Sequence, residues 1–123
     1  MPIIKYLGHR IRITQLQGQL GTGYHVHHLK DEMALLTEFG AHYEVGHPDM
    51  VICELDLLWS EFKNYTDLVN FIRDSNPTLP ILLLDNTRSG EVLGSFGDNV
   101  WFLVSDDINV LVKHINETFH AKH

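Results

Sequence analysis

The sequence has little of several features that mark particular classes of protein. It contains one cysteine, Cys53, so no disulfide can form within the chain. We therefore expect a reducing, cytoplasmic location. No apolar run approaches the roughly 18 residues of a membrane span, and the amino terminus lacks the pattern of a signal peptide. No membrane partner is expected.

Positive charge is also scarce. Nine Lys and Arg residues stand against sixteen Asp and Glu residues, which gives a formal net charge of −7. Because proteins bind nucleic acid with cations that neutralise its phosphates, this composition disfavours DNA binding by these residues themselves. Any contact with DNA is expected from a separate effector domain outside this chain.

Motifs that carry catalysis or cofactors are missing as well. Neither a Ser-His-Asp arrangement nor a pair of catalytic carboxylates is recognisable. Gly18, Gly21 and Gly23 lack the strand-to-helix context of a dinucleotide-binding fingerprint. We predict that the protein is not an enzyme and that it holds neither a cofactor nor a metal.

What the sequence does contain is a series of short apolar runs that predict strands. The run at 49–54 is apolar up to Glu54, which is typical of a strand that is covered on both faces. Four similar runs predict strands at 2–7, 24–29, 80–84 and 100–104.

Helical patterns alternate with these strands. They predict helices that begin at Asp31-Glu32, span 65–74 and 107–119, and include a short helix at Glu91–Phe96. Residues 9–21 fit a helix through their apolar spacing and also fit a second hairpin strand. We favour the helix because Gln and Leu residues continue the pattern to the glycines that would end it.

Strands that alternate with helices indicate an α/β fold, a five-stranded doubly wound parallel sheet in one domain covering residues 1–123. In open sheets of this kind the functional site lies beyond the carboxyl ends of the strands. Glu54 would therefore lie at the site.

Four stretches together resemble the receiver domain of bacterial two-component response regulators. They are Gly23-Tyr24-His25-Val26, Pro48–Ile52, Pro80–Leu84 and the closing helix from Asp107. The resemblance implies a flavodoxin-like fold whose site accepts a phosphoryl group with the help of Mg²⁺.

The same resemblance places substitutions at most positions of that site. The acidic pair that helps to hold Mg²⁺ falls on Tyr6 and Leu7, which cannot ligate the ion. The phosphoryl-accepting aspartate falls on Glu54, the hydroxyl residue on Asp85, and the lysine on Ser105. With nothing to neutralise a transferring phosphoryl group, the chain resembles a degenerate receiver, a pseudo-receiver.

Several other interpretations of the carboxylates remain open. Glu54 would act as a fixed charge that imitates the phosphorylated state, or would be a tolerated carboxylate without a role. Asp56 is the nearby aspartate that would replace it in a weakly active phosphoacceptor. Glu54, Asp56 and Asp85 would also offer three oxygens to a divalent cation, a reading that the missing acidic pair disfavours.

Histidines are frequent, with nine in the chain. His25 and His27 would share one face of a strand and His28 the other. A pair with this spacing can chelate Zn²⁺, especially if His42 or His47 lies nearby. A polar outer edge of the sheet is the favoured interpretation, and a pH response is compatible with either.

A partner surface is implied by the resemblance. Receiver domains commonly form two-fold dimers through their fourth helix, fifth strand and fifth helix. The corresponding positions here are Val92, Phe96, Trp101, Val110, Lys113, His114 and Glu117.

The favoured function is a non-enzymatic, phosphorylation-independent regulatory and dimerisation domain. We expect it to be the amino-terminal signal-reception part of a DNA-binding response regulator that answers to a protein or a small molecule. The alternatives are a stand-alone signalling adaptor, a weakly active phosphoacceptor and a small metal-binding flavodoxin-like module.

Overall fold

A mostly parallel β-sheet with helices on both faces organises the chain. The structure, a computed structural model, describes residues 2–40, 48–55, 65–85, 92–95 and 99–120. Within these ranges the elements, in chain order, are β1 (Ile3–Leu7), α1 (Arg10–Leu20), a 3-10 turn (Gly21–Gly23), β2 (His25–Leu29), α2 (Glu32–Gly40), β3 (Met50–Glu54), α3 (Tyr65–Ser75), β4 (Ile81–Asp85), β5 (Val92–Ser95), β6 (Val100–Val104) and α4 (Ile108–His120).

The strand order is β2-β1-β3-β4-β6-β5. Every neighbouring pair is parallel except β5 and β6, which are antiparallel. β3 lies inside the sheet and is buried along its whole length, which explains its continuous apolar sequence. The predicted α/β, flavodoxin-like class is confirmed.

Two hydrophobic layers hold the helices to the sheet. On one face the core includes Leu35 and Phe39 from α2 with Leu68 and Ile72 from α3. On the other face it includes Ile13 and Leu16 from α1 with Leu111 and Ile115 from α4. Each set recurs at helical spacing, so one stripe of each helix faces the sheet.

The prediction for residues 91–96 was wrong. A helix was expected at Glu91–Phe96, whereas Val92–Ser95 forms a strand, so the described sheet has six strands instead of five. The segment pairs with β6 through Val92 opposite Val104 and Ser95 opposite Trp101. Four residues that include a β-branched valine and a glycine gain more from these backbone bonds than from one helical turn.

The turn before β6 fits this pairing. Asn99 has a φ of 59°, a left-handed conformation that asparagine tolerates better than most residues. Its carbonyl accepts the N–H of Ile81 at 2.8 Å, which ties the turn to the start of β4. The start of β6 is thus anchored to the start of β4.

The ambiguous stretch 9–21 is helical, as favoured. α1 spans Arg10–Leu20, and Gly21, with a φ of 72°, ends it. Glycine adopts this positive φ without the steric cost that a Cβ atom would add, which suits the end of the helix. Among the described residues, no helix combines the length and the apolar character that a bilayer crossing requires.

Candidate functional site

Glu54 ends β3 at the carboxyl edge of the sheet, and its side chain is fully buried. The backbone N–H of His9 donates a hydrogen bond to Oε2 at 2.6 Å. Nε of Arg12 lies 3.6 Å from Oε1. Both partners come from the start of α1, where the helix dipole also favours a negative charge. The protein itself thus supplies a donor and a cation to the carboxylate.

Gly8 makes room for this arrangement. A Cβ atom at position 8 would collide with the Glu54 carboxylate, so the position requires glycine while Glu54 keeps its conformation. The carbonyl of Gly8 accepts a hydrogen bond from Nε2 of His28 at 3.0 Å. His28 therefore connects the edge strand β2 to the loop that holds Glu54.

The residues next to Glu54 differ from the two that the family pattern indicated. Tyr6 and Leu7 lie within β1 and are fully buried, in opposite layers of the core. Gly8 and His9 are the ones that adjoin the carboxylate. None of these four side chains is a carboxylate that could help to hold Mg²⁺.

Neither Asp85, at the end of β4, nor Ser105, directly after β6, is a cationic residue. These are the positions that the family pattern indicated. Asp85 ends β4 partly exposed, and its carbonyl accepts the N–H of Ser105 at 3.0 Å. The Ser105 hydroxyl accepts the N–H of Asp107 at 3.1 Å, and the Asp107 carboxylate accepts the N–H of Asn109 at 2.9 Å. Ser105 and Asp107 thus serve to begin α4.

The proposed cation cluster is incomplete in the described part of the chain. Asp56 lies outside the described residues. Within those ranges no three side chains of His, Cys, Asp or Glu are placed to hold a metal ion.

Cys53 lies on the opposite face of β3 from Ile52, within the layer formed by α2 and α3. It is fully buried, and burial raises the pKa of its thiol to about 12. The thiolate required for redox chemistry is therefore disfavoured. Cys53 thus serves as a small buried hydrophobic residue.

The histidines of β2 occupy the two faces that were predicted. The rings of His25 and His27 lie on one face with centroids 6.4 Å apart. Nδ1 of His27 lies 2.7 Å from Nζ of Lys5, a nearly buried residue of β1. An ammonium group only donates, so Nδ1 accepts and Nε2 carries the proton. This tautomer leaves His27 no free nitrogen for a metal, which argues against chelation. His42 and His47 lie outside the described residues.

In the predicted dimer face, the strand β5 stands where a helix was expected. Among its members, Lys113 and Glu117 are exposed, while Trp101 and Val110 are half-buried. His114 is only 7% exposed and packs edge-on against the Trp101 ring, with centroids 5.2 Å apart. His114 is therefore mainly part of the core. Phe96 and the side chain of Val92 lie outside the described residues.

Sequence reasoning missed Lys5, Gly8 and Arg12, and it placed His28 on its strand without connecting it to Gly8. Periodicity shows that Arg12 lies on α1, but it cannot show which neighbouring arginine turns toward Glu54. The contact between Lys5 and His27 could have been predicted from the parallel register of β1 and β2, which places these two residues opposite each other.

Comparison with known proteins places the fold among receiver domains. No family model matches the chain, and no curated protein sequence matches it either. A receiver domain of a Francisella response regulator superimposes with a TM-score of 0.68 at 12% identity, covering 100% of both chains. A response regulator of R. palustris in red light signalling gives 0.64 at 16% identity, covering 98% of this chain and 92% of its own. The expected receiver-like fold is confirmed.

The same fold also forms part of a larger protein of another kind. The E. coli constitutive lysine decarboxylase matches with a TM-score of 0.52 at 18% identity. The match covers 99% of this chain and only 18% of the decarboxylase. A receiver-like fold alone therefore does not determine function.

Proposed function

We propose that this chain is a non-enzymatic, receiver-like regulatory domain that works without phosphorylation. The observation that carries the proposal is the state of Glu54. Its carboxylate is buried, bonded to the His9 amide and paired with Arg12. A side chain held in this way is a fixed structural charge and a poor nucleophile.

Phosphoryl transfer makes demands that these surroundings do not meet. The nucleophile must lie in line with the leaving group. Cations must also neutralise the negative charge on the three equatorial oxygens of the phosphoryl group during its transfer. Arg12 is already committed to Glu54, and a carboxylate at Asp85 would repel a phosphoryl group. The ion pair between Glu54 and Arg12 then substitutes for the charges that a phosphoryl group and its Mg²⁺ would place at this site.

Intact-mass measurement after incubation with Mg²⁺ and acetyl phosphate tests this proposal. We expect no added phosphoryl group on the wild-type chain. Glu54→Gln is the matched control, because it removes the charge and keeps the shape. Stoichiometric phosphorylation of the wild type that the Gln variant lacks would overturn the proposal.

We further propose that the domain forms a two-fold dimer through the surface of β5, β6 and α4. Leu93 on β5 is 50% exposed, and the exposed Lys113 and Glu117 on α4 carry opposite charges. In an isologous contact the lysine of one copy can meet the glutamate of the other. The buried His114 is not needed in this contact.

Sedimentation equilibrium with charge-swapped variants tests the dimer. Lys113→Glu and Glu117→Lys should each weaken association by about tenfold at low salt, because each places like charges together. The double variant should restore it. A monomeric wild type, or single variants that associate like the wild type, would contradict the proposed surface.

The output is proposed to pass to a DNA-binding effector domain. The solved structures with this fold include response regulators, and the net charge of −7 disfavours DNA contacts by this chain itself. Electrophoretic mobility shifts should show no DNA binding by this chain alone.

The likeness to a segment of a lysine decarboxylase favours a second candidate, an assembly domain within a larger enzyme. Co-purification of the chain with an enzyme at fixed stoichiometry would support that candidate.

A further inference from the structure

We propose that a groove at the amino-terminal edge of the sheet binds a small aromatic amine, a flat ring system that carries a positively charged nitrogen. The inference rests on the proposed function for its role, because it supplies that domain with an input other than phosphate. It is carried by the aromatic wall of the groove, by a glycine that keeps space in it, and by the sign of the charge around it.

The groove lies at the opposite edge of the sheet from Glu54. Its volume is about 460 Å³, within the range of roughly 300–1,000 Å³ that is typical of small-molecule sites. Three segments that begin or end at this edge contribute the described residues that line it. They are Pro2 before β1, Gly23 and Tyr24 before β2, and Phe119 and His120 at the end of α4.

Two aromatic rings form the main wall of the groove. The centroids of Tyr24 and Phe119 lie 5.6 Å apart, and their planes are tilted by 55°. Both residues are only partly buried and both line the groove, so part of each ring faces it. The ring of Pro2 adds a further apolar surface. A flat aromatic ligand packs well against surfaces of this kind.

The wall is held in place by contacts within the protein. The Tyr24 hydroxyl donates to Oδ1 of Asn116 on α4 at 3.1 Å, and the Tyr24 carbonyl accepts a hydrogen bond from Nε2 of Gln17 on α1 at 2.9 Å. The carbonyl of Pro2 accepts the N–H of His25 at 3.0 Å. A site that is ordered in advance loses little conformational entropy when a ligand binds.

Gly23 keeps space in the groove. Its backbone lies outside the left-handed region, unlike that of Gly21, so its conformation does not require glycine. Crowding does not require it either, because a Cβ atom at position 23 would meet no atom within 4 Å. Glycine also costs conformational entropy on folding. The missing side chain therefore serves the groove and not the fold.

The charge around the groove favours a cation. The end of α4 presents the negative end of the helix dipole and its last backbone carbonyls. The Asp49 carboxylate, which accepts the N–H of Ile3 at 2.7 Å, adds negative charge to the same edge of the sheet. None of the described residues that line the groove is Lys or Arg, and the net charge of −7 attracts cations.

The aromatic rings and the negative charge together specify the ligand. The face of a tyrosine or phenylalanine ring attracts a cation, so the same wall suits both the ring and the nitrogen of an aromatic amine. An aromatic carboxylate would meet the negative helix end instead. We therefore expect the groove to discriminate by charge between ligands that share a ring system.

Amide NMR titrations with tryptamine test the site. We expect the shifts to concentrate at the amides of Gly23, Tyr24 and Phe119, with a dissociation constant on the order of 1 mM, as befits a ligand of this size. Indole-3-acetate has the same ring system and a negative charge, and it should bind about tenfold more weakly. The absence of a saturable shift at these amides, or equal affinity for the two compounds, would overturn the proposal.

Gly23→Leu gives the matched comparison. Its side chain enters the groove from a Cβ position that meets no protein atom, so tryptamine should bind about tenfold more weakly. Gly18→Leu changes a glycine of α1 whose Cβ position is equally open, and it should leave the affinity unchanged. Wild-type affinity in the Gly23 variant, or an equal loss in both, would refute the assignment of the groove.

Phe119→Leu provides a second route if Gly23→Leu perturbs the turn. It keeps an apolar side chain and removes an aromatic face, so tryptamine should bind several-fold more weakly, and an unchanged affinity would contradict the role of the ring. All these measurements are made without a phosphoryl donor. If the chain accepts phosphate and tryptamine still binds in the groove, the proposed function fails alone; if neither is observed, the ligand inference fails alone.

Discussion

The Glu54 carboxylate fills the space in which a side chain at position 8 would begin. A Cβ atom on Gly8 would lie 1.6 Å from Glu54 Oε2 and 2.5 Å from its Cδ. It would also lie 2.3 Å from Cε1 of the Tyr6 ring. These separations are far below the roughly 3.5 Å of favourable non-bonded contacts. The two residues therefore depend on each other.

Gly8→Ala should consequently destabilise the protein by about 2 kcal/mol, the cost typical of overpacking a tight site. Urea unfolding measures the change. Glu54→Ala in the same chain should relieve part of the collision, so the double variant should lose less stability than the two single changes together.

Gly18→Ala is the control for that substitution. Gly18 lies within α1, and a Cβ atom there would meet no atom within 4 Å. Because alanine restricts the unfolded chain and suits a helix, this variant should be about 0.5–1 kcal/mol more stable than the wild type. Equal destabilisation by both alanines would contradict the role assigned to Gly8.

The Gln17 side chain closes the outer edge of β2 near its start. Its amide nitrogen donates to the carbonyls of Gly21 and Tyr24 at 2.8 and 2.9 Å. Its oxygen accepts the N–H of Val26 at 2.8 Å. The amide thus binds the strand as a neighbouring strand would, which protects an edge that could otherwise pair with another chain.

Gln17→Ala should therefore lower the free energy of unfolding by about 1–2 kcal/mol and speed hydrogen exchange at the Val26 amide. Gln15→Ala changes an exposed glutamine of the same helix and should do neither. Unfolding curves and exchange rates for the two variants test this, and matching results would refute the edge-closing role.

The strands show how far sequence reasoning reaches. β3 and β4 were predicted because burial on both faces demands an uninterrupted apolar sequence. β5 was missed because a segment of four residues is too short for periodicity to distinguish a strand from a short helix. Pairing with β6, a tertiary contact, decides the conformation of such a segment.

The candidate site also combines a feature that the sequence predicted with contacts that it did not predict. The position of Glu54 followed from the rule that sites lie at the carboxyl ends of parallel strands. Its partners did not follow, because Arg12 and His9 reach it from a helix start about 45 residues earlier in the chain. Contacts between segments so distant depend on side-chain direction, which periodicity does not report.

His114 should make stability depend on pH. Burial lowers the pKa of its imidazole, and the nearby charge of Glu117 only partly offsets this. Within the described residues, Nε2 has no hydrogen-bond partner. At low pH the unfolded chain therefore binds a proton at His114 more readily than the folded chain does. The free energy of unfolding should consequently fall as the pH drops through about 6.5 and below.

Unfolding curves recorded across this range test the prediction. His114→Leu should flatten the dependence on pH, because it removes the buried titrating group. His120→Gln, at an exposed histidine of the same helix, should leave the slope unchanged. If the His114 variant retains the wild-type slope, the effect belongs to another group.

Cys53 should be unreactive in the folded protein. With its thiol pKa raised to about 12 by burial, almost no thiolate is present at neutral pH. Labelling with a thiol reagent should be more than about a hundredfold slower in buffer than in denaturant. Because the chain has a single cysteine, the signal needs no correction, and rapid native labelling would contradict the burial of β3.

The antiparallel strand at the sheet edge also has a kinetic consequence. β5 and β6 are separated by only four residues, whereas each parallel pair in the described sheet joins segments far apart in sequence. Closing a short loop takes little entropy, and hairpins form within about 1–10 μs. The two strands can therefore associate early, and Val100–Val104 then offers β4 a partly ordered edge on which the slower parallel register is built.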